Sequence, residues 1–253
     1  MNNTETDKSA NATNHVKANS IASVPASAMT GANANSGASV DANPGASMAT
    51  TDADYPNRFP SFDVTKDGPL LTEPKTLEIQ TSVGRLHLVL DPTIAPIHAT
   101  QMYNLMTRGA FNGTFISRFE PNFVLQFALA ETKSKEGPQY GNETVLPLIR
   151  RLPLEVGPQL TGAVSHKKWN LTMARYDRND SATTSFSILL DDAHHLDKQY
   201  TVFGHVIPDA VSVATIGNII QLWNTRKPYI IGVREMGPHD NKVIGQSVAE
   251  PKP

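Results

Sequence analysis

Apolar and polar residues alternate along much of the chain after residue 75, with the two-residue period of a β-strand that buries one face. The alternation runs through residues 77–81 and 85–90, on either side of a turn at Val83-Gly84, and therefore predicts a β-hairpin. Six further runs have strand character, at residues 114–119, 123–130, 171–175, 186–190, 201–207 and 229–235.

Two segments have the helical period instead. The first begins with Pro96, which suits a first helical turn, ends at Gly109, and carries an apolar stripe of Ala99, Met102, Leu105 and Met106. The second begins at Pro208-Asp209, and its apolar positions are Val213, Ile216 and Ile219. Many short strands with two helices that do not alternate with them favour an antiparallel barrel over a Rossmann-type sheet.

The beginning of the chain has a different composition. Residues 1–50 contain twelve Ala, eight Asn, seven Ser and five Thr, with no Leu and no aromatic residue, so burial there would not repay the entropy of ordering. We expect a disordered tail over residues 1–68, a folded domain over 69–244 and a second tail over 245–253. Residues 131–162, rich in Gly, Pro and charge, are expected to be a long irregular insertion.

Charge and cysteine content exclude several classes of function. Lys and Arg number 22 against 24 Asp and Glu, so no basic field favours nucleic acid, and there is no cysteine for thiol catalysis or a thiolate metal site. No apolar run is long enough to span a membrane, and the first residues lack the pattern of a signal peptide. The Asp and His residues of 191–195 have metal-ligating side chains, but adjacent side chains in an extended loop point apart, so we expect no metal.

The segment SRFEPNFVLQ, residues 117–126, joins two predicted strands by a turn containing proline. Period two places Arg118 on one face with Ile116 and Thr114, and separates Phe123, Leu125 and Phe127 from Val124 and Gln126. An isolated strand arginine is usually a solvated surface charge. Here its neighbours offer an apolar floor and a polar anchor beside a guanidinium.

This segment resembles the arginine-bearing signature of cyclophilin-type peptidyl-prolyl isomerases, and TSVGRLHLVLDPTIAPIHATQMYNL at 81–105 resembles their opening. LTMAR, NDSATTSFSI and HLDKQYTVFGHV follow in the family's order, so the resemblance covers about residues 77–235. It implies a mainly β fold, a closed eight-stranded antiparallel barrel capped by two helices, with the active site in an outer groove. It also implies isomerisation of X-Pro bonds in unfolded or flexible proteins, which assists folding and needs no cofactor.

By position, the resemblance assigns Arg118 as the catalytic arginine and Gln126 as the residue that orients the peptide. The substrate-binding positions are then Phe123, Val124, Ala174, Ser187, His195, Leu196 and Tyr200. Several of these depart from the family pattern. Ser187 replaces a pocket phenylalanine, which removes on the order of 2 kcal/mol of contact with a proline ring. His195 replaces a tryptophan that is important for binding cyclosporin, and Tyr200 replaces a histidine.

These departures leave an alternative open, a cyclophilin-like binding or chaperone module that grips proline-containing segments but turns them over poorly. In either case the expected partners are proline-containing polypeptides, and we expect a monomer without nucleic-acid or membrane-spanning partners. The composition of the N-terminal tail suits a flexible tether, which slightly favours an exported or periplasmic protein over a cytoplasmic one.

Overall fold

Eight β-strands are the main regular structure in the part of the chain that the computed structural model describes, which is residues 57–129, 146–156, 164–237 and 240. They are β1 (Lys75–Thr81), β2 (Gly84–Leu90), β3 (Ile116–Glu120), β4 (Val124–Phe127), β5 (Asn170–Met173), β6 (Phe186–Leu189), β7 (Val202–Val206) and β8 (Ile230–Glu235). The helices are α1 (Val64–Asp67), α2 (Pro96–Thr107) and α3 (Ala210–Leu222), and short 3₁₀ turns lie at Leu146–Leu148 and His194–Leu196.

The strands form one sheet in the order β3-β4-β6-β5-β7-β2-β1-β8, and every neighbouring pair is antiparallel. Backbone bonds also join the two strands at the ends of this order. Phe115 and Tyr229 form an isolated antiparallel bridge, flanked by Ile230 N donating to Thr114 O at 2.9 Å and Ile116 N donating to Pro228 O at 3.1 Å. The fold is thus mainly β, with an eight-stranded antiparallel sheet that curves towards its own first strand.

The predicted hairpin is confirmed, since β1 and β2 pair antiparallel from Lys75 opposite Leu90 to Thr81 opposite Gly84. Gly84 has a φ of +146°, which residues with a side chain rarely adopt, and a Cβ there would overlap the Thr215 hydroxyl of α3. The glycine therefore serves both the turn and the close seating of a helix against it.

Side chains from the inner face of the sheet and from the two longer helices form the main core. α3 packs against β2, and α2 contacts β2, β7 and β8. Both longer helices were predicted, but Val213 is 45% exposed and does not belong to the buried stripe. That stripe consists of Ser212, Thr215, Ile216 and Ile219, because two small polar side chains fit where α3 approaches the hairpin most closely.

Residues 57–68, which the sequence placed in the N-terminal tail, have contacts with the folded domain. Phe59 and Phe62 pack against the core, Phe62 N donates to Arg151 O at 3.0 Å, and residues 64–67 form α1. Two aromatic residues here supply the apolar area that residues 1–50 lack. The remainder of the predicted tail, residues 245–253 and most of the 131–162 insertion lie outside the described residues.

No helix among the described residues combines the length and hydropathy needed to cross a membrane.

Candidate active site

Strand register brings four polar side chains into one row across the outer face of the sheet. Arg118 of β3 lies opposite Gln126 of β4, Gln126 opposite Ser187 of β6, and Ser187 opposite Thr172 of β5. The next residue along each of the last three strands points to the other face and is buried in the core, at Leu125, Ile188 and Leu171. The row therefore lies outside the main core, with one guanidinium at its end.

The Arg118 guanidinium is partly accessible and partly held. About a third of its side chain is exposed, at 32%, and Nε donates to the Glu120 carboxylate at 3.2 Å. Glu120 lies two residues along the same strand and thus on the same face. This contact orients the arginine along the outer surface, where about a third of its side chain is exposed.

An apolar cluster lies beside this row, also outside the main core, and is called the outer cluster here. Its buried members are Val124, Leu189, Ala193, Leu196 and Tyr200, with the half-buried Phe123 packed against them. Two strands and the loop of residues 190–201 enclose it. The 3₁₀ turn His194–Leu196 places Leu196 inward, while the exposed His195 ring lies 5.4 Å from the ring of Phe123, centroid to centroid.

A hydrogen-bonded network extends from Thr172, at the far end of the row, and ties it to that loop. His166 is fully buried, its Nε2 lies 3.0 Å from Thr172 Oγ1, and its Nδ1 lies 2.8 Å from Asp197 Oδ1. Asp197 also accepts hydrogen bonds from His166 N at 2.8 Å and from Ser165 Oγ at 2.6 Å. Because Asp197 directly follows Leu196, these bonds fix the wall of the outer cluster to the strands beneath it.

Asp197 and His166, the two titratable groups of this hydrogen-bonded network, both have pKa values below their usual ranges. Burial opposes the charge of Asp197, but hydrogen bonds from Ser165 and His166 outweigh it and hold the pKa of that carboxyl far below its usual range. Burial lowers the pKa of His166, although Asp197 pulls in the opposite direction. Near neutral pH the hydrogen bond between them therefore joins the neutral imidazole of His166 to the carboxylate of Asp197.

Asp192 and His194 are occupied by other groups. Asp192 accepts from Lys167 Nζ at 2.9 Å and from Lys168 N at 3.0 Å, and His194 Nδ1 lies 2.7 Å from Ser165 Oγ. Among the residues that the structure describes, no three His, Cys, Asp or Glu side chains are grouped as metal ligands.

Comparison with known proteins identifies the family. The family model described as "Cyclophilin type peptidyl-prolyl cis-trans isomerase/CLD" matches residues 76–234, which is more than half of the chain. The chain belongs to the cyclophilin family.

Two curated relatives extend this finding. The chain is 34% identical over 131 residues to a peptidyl-prolyl cis-trans isomerase of Arabidopsis thaliana, a match covering 50% of this chain and 53% of that protein. It is 30% identical over 148 residues to a peptidyl-prolyl cis-trans isomerase of Acinetobacter baylyi, covering 56% of this chain and 72% of the relative. The chain thus spans about half the length of the plant protein and a larger share of the bacterial one.

Among solved structures, a cyclophilin-type peptidyl-prolyl cis-trans isomerase of Cryptosporidium parvum superposes with a TM-score of 0.51 at 16% identity. The superposition covers 65% of this chain and 98% of that one. At this identity the likeness concerns the fold, and it agrees with the mainly β architecture expected of a cyclophilin.

The structure brings most of the predicted cyclophilin site residues together. Arg118, Gln126 and Ser187 share the outer row, and Phe123, Val124, Leu196 and Tyr200 share the outer cluster, with His195 at its exposed edge. Ala174 follows β5, is buried, and donates its backbone N–H to Ser185 O at 2.9 Å. Two predictions about which residues share a strand face are wrong.

The first concerns Arg118 and Ile116. A register shift between them places Ile116 in the core opposite Phe127, whereas Arg118 lies outside. The second concerns Phe123, which packs with Val124 in the outer cluster and not with Leu125 in the core. Phe123 precedes β4 and follows Asn122, whose φ of +58° turns the chain, so the strand period does not yet apply there.

Sequence reasoning missed the buried support formed by His166, Asp197 and Thr172. His166 belongs to the run His166-Lys167-Lys168-Trp169, whose two lysines are typical of a solvated turn. The neighbouring Lys168 does extend over the Trp169 ring, at 4.9 Å from its centroid. No sequence signal separates His166 from these exposed neighbours, since its burial depends on residues about thirty positions away.

Proposed function

We propose that this protein is a peptidyl-prolyl cis-trans isomerase that acts on X-Pro bonds of unfolded or flexible polypeptides and so assists protein folding. The observation that carries the proposal is the placement of Arg118 opposite Gln126, in a row adjoining the outer cluster. A partly exposed cation beside apolar side chains suits a peptide that presents both a proline ring and carbonyl groups.

The chemistry requires no covalent step. Amide resonance holds the X-Pro bond planar, and rotation crosses a barrier of about 18–20 kcal/mol that takes tens to hundreds of seconds without a catalyst. In the twisted transition state resonance is lost, and the proline nitrogen becomes pyramidal and a better hydrogen-bond acceptor. A group that donates to this nitrogen binds the transition state more tightly than either ground state, which is the condition for catalysis.

Arg118 would supply that donor, because a guanidinium stays protonated and presents several N–H groups in a fixed plane. Phe123, Val124 and Leu196 would hold the proline ring while the preceding residue rotates. Gln126 would hydrogen-bond the peptide backbone, and Ala174 would meet it through its own backbone. Shortening the half-time from tens of seconds to milliseconds requires about four factors of ten, or roughly 5.5 kcal/mol.

Three further proposals accompany the activity. We propose that the sheet closes into a barrel, supported by the Phe115–Tyr229 bridge between its first and last strands. We propose a domain over residues 69–244 that works as a monomer, with tails on either side, the first of which packs Phe59 and Phe62 against the domain. The composition of residues 1–50 supports an exported or periplasmic protein tethered by its tail.

A protease-coupled isomerase assay on an Ala-Pro peptide, combined with peptide affinity measured on the same preparation, tests the proposal. Rate enhancement that saturates near the measured affinity is the expected result. Binding without rate enhancement would replace the enzyme with a peptide-binding module, for which Ser187, His195 and Tyr200 would be the reason. Absence of both would contradict either function.

A further inference from the structure

Arg175 is held in one orientation beside the outer cluster. Its Nε donates to Gln199 O at 2.7 Å, and its Nη1 donates to Tyr176 O at 2.8 Å and to Asp177 O at 2.9 Å. Its guanidinium carbon lies 5.0 Å from the centroid of the Tyr200 ring. Three backbone carbonyls and an aromatic face therefore fix a half-buried guanidinium whose side-chain freedom is already lost.

This guanidinium lacks a carboxylate partner among the residues that the structure describes. The other half-buried arginines among the described residues each have a carboxylate partner: Arg118 pairs with Glu120, Arg150 with Asp67, and Arg151 with Asp180. The carbonyls that hold Arg175 occupy Nε and Nη1, and Nη2 has no acceptor among the described residues. A full positive charge is thus held in place with a donor left over, an arrangement that suits a carboxylate from outside.

Two observations place this charge beside the outer cluster. Arg175 follows Ala174 directly, and it covers the ring of Tyr200, which belongs to the outer cluster. It also lies three residues beyond Thr172 of the polar row, a distance of roughly 10 Å along an extended chain. An extended peptide covers the same distance in about three residues, at about 3.3–3.6 Å each.

We propose that Arg175 is a specificity-determining residue that selects substrates carrying an acidic side chain one to three residues from the isomerised proline. This inference rests on the proposed isomerase function. The carboxylate of a bound Glu or Asp would accept a hydrogen bond from Nη2, in a site whose cation is already oriented. Because the guanidinium is partly exposed to solvent, the preference is modest, about three- to tenfold, and decreases as salt is added.

The experiment uses peptides with one Ala-Pro bond, in pairs that differ only by Glu or Gln at one of three positions on either side. The ratio of kcat/KM for the Glu peptide to that for the Gln peptide is measured for the full chain, for Arg175→Gln, and for the control Arg178→Gln. Arg178 is exposed, lies three residues away, and pairs with Asp180, so the control removes an equal charge nearby without altering the groove edge.

We expect at least one position to give a ratio of about three or more in the unaltered protein and in Arg178→Gln, and a ratio near one in Arg175→Gln. A ratio near one at every position in the unaltered protein would overturn the inference. So would a preference that survives in Arg175→Gln or disappears equally in Arg178→Gln.

Affinities of the same peptides, measured by fluorescence anisotropy, separate failure of this inference from failure of the proposed function. If the Gln peptides are isomerised and no Glu preference exists, the isomerase function is supported and the role of Arg175 is overturned. If no peptide is isomerised, the isomerase function falls, and the Glu-to-Gln affinity ratio still decides on Arg175. If no peptide binds, both are overturned.

Discussion

At the scale of single residues, the site differs from the pattern of its family in the size and polarity of its lining. Ser187 is almost completely buried in the polar row, where the family has a phenylalanine, so the row offers less apolar surface to a proline ring. Tyr200, at a histidine position, is buried in the outer cluster, and its aromatic ring adds apolar area there. If the proposed isomerase site is correct, we expect Ser187 to lower substrate affinity at one wall and Tyr200 to restore part of it at another.

His195 gives a prediction about inhibition. It is exposed and lies beside Phe123, at the position where the family has the tryptophan important for cyclosporin. We expect weak inhibition by cyclosporin, and we expect His195→Trp to strengthen it about tenfold or more, because an indole offers a larger apolar face and an N–H donor. Inhibition titrations of the isomerase reaction test this, with His194→Trp as the control. Nanomolar inhibition of the unaltered protein would contradict the assignment of this position.

At the scale of elements, α2 begins in a way that the local sequence does not indicate. Ala95 precedes the helix and offers no side-chain cap. Glu155 supplies the cap from a distant loop, accepting from Ile97 N at 3.0 Å and from His98 N at 2.8 Å, and it also contacts His98 Nδ1 at 2.6 Å. Burial opposes its charge, but these bonds outweigh it and lower the pKa of Glu155 below its usual value.

Removal of this cap should therefore be costly. We expect Glu155→Ala to lower the free energy of unfolding by about 2–4 kcal/mol, because it leaves a buried histidine and two backbone donors without their acceptor. Glu73→Ala, which breaks the exposed contact with Lys75, should cost less than about 1 kcal/mol. Urea denaturation of both variants tests the difference. Equal effects would show that the Glu155 contacts contribute no more than a surface pair.

The contrast between elements shows what the sequence could predict. In the described residues, all eight strands and both longer helices follow from hydrophobic periodicity, because each element has to bury one face whatever its partners are. The cap from Glu155 and the burial of His166 depend on residues far away in sequence, so periodicity carries no sign of them. The bulge beside Arg118 lies in a local hairpin, but strict alternation along β3 does not anticipate the register shift. The motif predicts Arg118 as a candidate site residue, whereas its contact with Glu120 and its place opposite Gln126 emerge only from the folded strands.

At the scale of the whole molecule, the buried His166 and the half-buried His205 make stability depend on pH. Burial lowers the pKa of His166 and of His205 below the ordinary value of 6.5. Between 6.5 and these lower values the unfolded chain binds more protons than the folded one, so the free energy of unfolding decreases as the pH falls. The lowered pKa of Asp197 adds a second loss below about pH 3.8, its ordinary value.

We expect the free energy of unfolding to fall between pH 7.5 and 5.5, by no more than about 1.4 kcal/mol per pH unit for each buried histidine. His166→Gln, which keeps a polar side chain but does not titrate, should show a smaller fall over this interval. The exposed His194→Gln should retain the full fall. Urea titrations at several pH values provide the measurement, and a stability that stays constant or rises on acidification would contradict this interpretation.

The central claim is that Arg118 stabilises the twisted X-Pro bond from a groove outside the core. The most direct test compares kcat/KM for an Ala-Pro peptide between the unaltered protein and Arg118→Ala, with Arg178→Ala as the control and circular dichroism and Tm as checks of folding. We predict that Arg118→Ala lowers kcat/KM by at least about tenfold while folding is retained, because the guanidinium contributes to the transition state and not to the core. A folded Arg118→Ala variant with unchanged kcat/KM would contradict the claim.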